Sequence, residues 1–87
     1  MLKKHVIIGI HITDRMKNAT AVQKVFTDHG CSIRTRLGLH DTGEGFCSPS
    51  GVLLLEFVGD DDELKAMEEQ LEAIEGIEIH TMIFDHP

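Results

Sequence analysis

The chain has 87 residues, 41% of them hydrophobic and 26% charged, which suits one small soluble domain and leaves no room for a second at roughly 100–200 residues each. Acidic residues outnumber basic ones 15 to 8, for a net charge of −7. That balance argues against nucleic acid and against an anionic membrane surface, because both are held mainly through Lys and Arg. The first apolar run, VIIGIHI, is too short to cross a bilayer and has no small-residue cleavage site after it, so a cytoplasmic protein is expected. Cys31 and Cys47 are too few for a disulfide framework and read as free thiols.

Residues 4–12 alternate, with Val6, Ile8, Ile10 and Ile12 on one side and His5, Ile7, Gly9 and His11 on the other, the pattern of a strand. Thr13 and Asp14 offer an N-cap for a helix over 15–28, on which Met16, Ala19, Val22 and Phe26 recur at helical spacing and which Gly30 closes. Residues 31–39 alternate again, setting Ile33, Thr35, Leu37 and Leu39 against Ser32, Arg34, Arg36 and Gly38. The stretch from His40 to Ser50 is rich in Gly, Ser, Asp and Pro and reads as a long hairpin loop. A nearly continuous apolar strand follows from Val52 to Val58, ended by Gly59. Asp60, Asp61, Asp62 and Glu63 suit the positive end of a helix dipole, and Leu64, Met67, Leu71 and Ile74 mark that helix's buried stripe up to Gly76. A last strand runs from Ile77 to about Phe84, with Ile77, Ile79 and Ile83 on one face.

The order is strand, helix, strand, twice over, in residues 4–39 and 51–84. Right-handed crossovers interleave two such halves into one sheet. The expectation is a single α+β domain over 1–87: a ferredoxin-like βαββαβ two-layer sandwich with a four-stranded antiparallel sheet. Both helices cover one face, the first and third strands are central, and the second and fourth are edges. The other face should then be polar if it meets water. Instead Ile7, Val52 and Leu54 fall on it, with Met82 and Phe84 beside them. A contiguous apolar surface of that kind marks an interface, so a homo-oligomer, dimer or tetramer, is expected.

The same alternation places a polar group on that second face: His11, Arg34, Arg36, Glu56 and His80. Two Arg match the geometry of an anionic ligand. Two His and a carboxylate suit a transition metal, to which His40 and Cys47 of the long loop are further candidates. The plain alternative is a cross-strand Arg–Glu56 pair with His residues bordering an interface. Cys47 as a nucleophile would need a base beside it. There is no GxxxxGK[ST], GxSxG, HExxH or CxxC, and the acidic run at 60–63 lacks the alternating ligands of a calcium loop.

The stretch Thr13 to Ile33, TDRMKNATAVQKVFTDHGCSI, resembles the first half of ACT regulatory domains: an Asp14-Arg15 turn, a helix, then His29-Gly30-Cys31-Ser32-Ile33 leading into the second strand. Met16-Lys17 stand where amino-acid-binding members usually have Pro-Gly. The resemblance implies that Asp14 faces a small ligand. Over most of its length, through TRLGLHD, GVLLLEFVGDDDEL and IEGIEIHTMIF, the chain is similar to the small ACT-like family of iron-only hydrogenase system regulators. The regulatory domain of a nickel-responsive repressor resembles it in fold. That domain's His-x-His is replaced here by Leu37-Gly38-Leu39 with His40 just beyond, and Cys47 lies well before the third strand. The resemblance implies a regulator-like, non-catalytic oligomer.

The expected function is therefore a ligand-sensing homo-oligomer that binds a small effector through Arg34, Arg36, Glu56 and Asp14 and acts by contact with another protein. The alternatives are a metal-binding protein using His11, His80, His40 and Cys47, and a small enzyme built on Cys47 or a His. The sequence names no cofactor.

Overall fold

The computed structural model describes residues 4–13, 15–39 and 51–85. The elements are β1 (Lys4–Ile12), α1 (Arg15–Asp28), a 3-10 turn (Gly30–Ser32), β2 (Ile33–Leu39), β3 (Gly51–Phe57), α2 (Asp61–Glu72) and β4 (Ile77–Asp85). They form one antiparallel sheet in the order β2-β3-β1-β4, so β1 and β3 are central, as the pattern of apolar residues requires. This is the ferredoxin-like arrangement expected.

The period-2 pattern of β1 explains the core. Val6, Ile8, Ile10 and Ile12 are all buried, and cross-strand pairing puts Leu53, Leu55 and Phe57 of β3 and Ile77, Ile79, Thr81 and Ile83 of β4 on the same face. Against them pack Val22, Val25 and Phe26 of α1 and Leu64, Met67 and Leu71 of α2, so both helices lie on this face. Ile8, Ile10, Leu55, Met67 and Leu71 are fully enclosed, each stabilising the fold by about 1.5–3 kcal/mol relative to exposure.

Three details depart from the expected elements. First, among the described side chains of α1, which do not include Met16, the buried line is Asn18, Val22, Val25 and Phe26, continued by His29, whereas Ala19 is exposed. The helix has turned to bury its larger side chains, and a methyl group gains little by burial. Second, Gly30 does not close α1 in a left-handed conformation. His29 N donates to Val25 O, Ser32 N donates to His29 O, and the helix passes directly into the 3-10 turn. Among the described residues the left-handed glycine is Gly76, at φ 85°, whose carbonyl accepts from Thr13 N at 2.9 Å and so ties the turn before β4 to the end of β1. Third, β2 carries a bulge: Ile33 pairs with Phe57, yet Thr35 pairs with Glu56, leaving Arg34 as the extra residue.

The bulge reverses part of the expected alternation. Beyond it Arg36 and Gly38 sit opposite Leu55 and Leu53, on the helix-covered face, while Thr35, Leu37 and Leu39 sit opposite Glu56, Leu54 and Val52 on the open one. The placement of Arg36 beside His11, Glu56 and His80 is thus overturned. The inserted residue lets Ile33 pack against the core without moving Leu37 and Leu39 off the open face, and the arginines turn toward α1.

α2 begins as its acidic residues suggest. Asp60 caps it, accepting from Glu63 N at 2.8 Å, and three acids fill the first turn. Ile74 lies just past the helix but still packs on the core. Among the described residues no helix is long and apolar enough to cross a membrane.

Candidate functional site

Of the residues singled out in the sequence, Asp14, His40 and Cys47, with the loop over 40–50, lie outside the described residues. The others divide between two places. His11, Glu56 and His80 are on the open face of the sheet, and Arg34 and Arg36 are at a cleft between α1 and β2.

The open face has an apolar body with imidazole–carboxylate pairs set into it. Leu37, Met82 and Phe84 are 51–53% exposed, and Ile7, Val52 and Leu54 between them are half-buried. Gly9, at the middle of β1, lies between Leu54 and His80 of the neighbouring strands and adds no side chain to the surface. His5 Nε2 stands 4.0 Å from Glu56 Oε2. Thr35 Oγ1 donates to Glu56 Oε1 at 3.2 Å. Glu78, which the sequence did not point to, is hydrogen-bonded to His80 Nε2 and is the cross-strand neighbour of His11. The His80 hydrogen bond and charge, with a smaller contribution from His11, hold the Glu78 carboxyl below the usual range against a slight opposing effect of burial. Among the described residues no three His, Cys, Asp or Glu side chains are arranged to hold a metal ion.

The second place is a cleft of about 230 Å³ floored by α1 and β2. Arg36 projects over the ring of Phe26, its Cζ 4.9 Å from the ring centroid, and donates to Gln23 Oε1 at 3.1 Å. A stacked, hydrogen-bonded guanidinium is held in one orientation. Arg34, the bulge residue, lines the same cleft together with Thr27, Gly30 and Ile33. Among the described residues no acidic side chain lines it.

A buried polar tie next to this cleft escaped the sequence reading. His29 is 9% exposed. Its Nδ1 is 3.0 Å from Glu63 Oε2 and its Nε2 is 3.0 Å from Gln70 Oε1, so both ring nitrogens meet acceptors on α2. Burial opposes a charged ring there, but the bonds to Glu63 and Gln70 and the charges of Glu63 and Asp28 outweigh it and raise the His29 pKa. Ser32 Oγ donates to the other Glu63 oxygen. That bond first, and His29 second, lower the Glu63 pKa against the effect of burial. Asp60-x-x-Glu63 has the form of a capping box, in which Glu63 would reach back to Asp60 N. Here its side chain instead bridges α2 to the end of α1. No sequence spacing links residue 29 to residue 63. Cys31, in the adjoining turn, is exposed and unbridged.

No protein-family model and no curated protein matches the chain in sequence. Solved structures do match in fold. The uncharacterized protein TM1266 from Thermotoga maritima is similar with a TM-score of 0.79 at 23% identity, over 92% of this chain and 96% of that one. CPII, a nitrogen regulatory PII-like protein from Thiomonas intermedia K12 solved with ADP, AMP and bicarbonate, gives 0.51 at 10% identity, over 97% and 96%. A formyltetrahydrofolate deformylase from Pseudomonas putida KT2440 gives 0.57 at 16% identity, over 90% of this chain but only 28% of that one. At these identities the likeness establishes a small ferredoxin-like fold, which hosts many functions.

Proposed function

We propose that the chain is a non-catalytic, ACT-like regulatory module that self-associates through the open face of its sheet, binds a small effector and acts by contact with other proteins. The observation that carries this reading is the open face itself. In a chain of 15 acids, the described part of that face has only two, Glu56 and Glu78, and each is matched by a His of the same face. Both carboxylates already have a neighbour within one copy, and the exposed Leu37, Met82 and Phe84 around them gain by being covered. The sequence resemblance to regulators of iron-only hydrogenase systems, and the likeness of fold to a PII-like regulatory protein, support the regulatory side of the proposal.

The test is molar mass in solution by light scattering. The wild type should run as two or four chains. Met82→Glu, at an exposed position, should run as one chain with an unchanged circular dichroism spectrum. A wild type with the mass of a single chain at high micromolar concentration overturns the interface.

A further inference from the structure

We infer that the cleft between α1 and β2 is a binding site for a small organic carboxylate, held by Arg34 and Arg36. The regulatory meaning of the site rests on the function proposed above, but the binding itself does not.

The charge of the cleft is the first argument. The chain carries a net charge of −7, and two of its described lysines pair with acids, Lys4 with Asp61 and Lys24 with Asp28 at 3.0 Å. Arg34 and Arg36, two residues apart on one strand, form no ion pair among the described residues. Two arginines bordering one cleft that no carboxylate of the described residues lines favour the arrival of an anion. A regular strand would have left Arg36 on the other side of the sheet from α1's neighbours. The bulge is what turns Arg36 to the side of α1, and Arg34, the inserted residue, borders the same cleft, a use of bulges that recurs at binding sites.

Geometry narrows the anion. Arg36 is stacked on Phe26 and fixed by Gln23, which leaves its remaining N–H groups as a planar fork of the shape a carboxylate accepts. Phe26 and Ile33 supply an apolar wall. The cleft, about 230 Å³, has room for a short-chain acid or diacid. Gly30 of the 3-10 turn lines one end of the cleft and brings no side chain to it.

The experiment uses the full chain labelled with ¹⁵N, titrated with sodium succinate, with sodium phosphate, and with sodium chloride at matched ionic strength. Succinate should shift the amides of Gly30, Ile33, Arg34 and Arg36 saturably, and chloride should not. Arg34→Gln with Arg36→Gln should weaken binding at least tenfold. Met82→Glu should bind as the wild type does, because the cleft is built within one copy, so failure of the interface and failure of this site are told apart. Non-saturable shifts, equal shifts with chloride, or undiminished affinity in the double variant overturn the site. Tighter binding of phosphate than of succinate overturns the carboxylate.

Discussion

Replacing His29 by Ala should destabilise the domain in a pH-dependent way. The buried ring holds two hydrogen bonds at 3.0 Å, one to the Glu63 carboxylate and one to the Gln70 amide. A bond to a charged group contributes about 1.5–3 kcal/mol and a neutral one about 1 kcal/mol, so the loss is about 3 kcal/mol once lost packing is counted. For a chain of this size each kcal/mol moves Tm by roughly 4–8 °C, which puts the variant about 12–24 °C lower. The sign of the pH dependence follows from the raised pKa of His29. Its charged form is favoured by folding, so this contribution is fully present below the ordinary value of 6.5 and is lost as pH rises through the folded value. The Glu63 pKa is lowered from 4.5, so its share is present above 4.5 and is lost in acid. The tie is therefore strongest between about pH 4.5 and 6.5. Above that window the neutral ring still donates to Glu63, and Gln70 can turn its amide to donate to the other nitrogen, so the charge attraction fades first. The assay is urea unfolding of wild type and variant at about pH 5.5, 7 and 8.5, the window set by the linkage. The other five histidines are common to both proteins and cancel in the difference. A difference in stability that stays constant across this range, or grows toward pH 8.5, refutes the charged tie.

Gly59→Ala should cost about 1–3 kcal/mol, because a Cβ there would lie 2.7 Å from Phe57 Cζ and 2.9 Å from Ser32 Oγ and would crowd Glu63 as well; an unchanged urea midpoint would show that the cluster has slack. Asp60→Ala should cost about 1 kcal/mol through loss of the cap on Glu63 N, with Asp60→Asn close to wild type. Equal losses in the two Asp60 variants would mean that the charge, and not the cap, matters there.

The fold was legible because β1 and β3 say in sequence which face is buried. Val6, Ile8, Ile10 and Ile12 alternate, Leu53, Leu55 and Phe57 answer them, and the acids at 60–63 mark the start of α2. The apolar second face could be read from the same alternation at Ile7, Val52 and Leu54. What the alternation cannot carry is a bulge. One extra residue at Arg34 exchanged the faces of Arg36 and its neighbours, and with them the expected grouping of arginines with His11, Glu56 and His80. The His29–Glu63 tie was hidden for a different reason. It joins residues 34 apart, on elements whose side-chain directions are set by packing, and the local capping rule pointed Glu63 elsewhere.

The two rims of the sheet are unequal, and that bears on solubility. β2, on one rim, is kinked by its bulge and carries Arg34 and Arg36, so its unpaired backbone is twisted away and guarded by like charges. β4, on the other, pairs with β1 through nine consecutive residues without interruption and exposes Met82, Ile83 and Phe84 near its end. An uninterrupted rim with exposed apolar residues is where an incoming strand finds hydrogen-bond partners already aligned. Fibrous aggregation of this protein should therefore start at β4, with Glu78, His80 and Asp85 as the polar residues that restrain it.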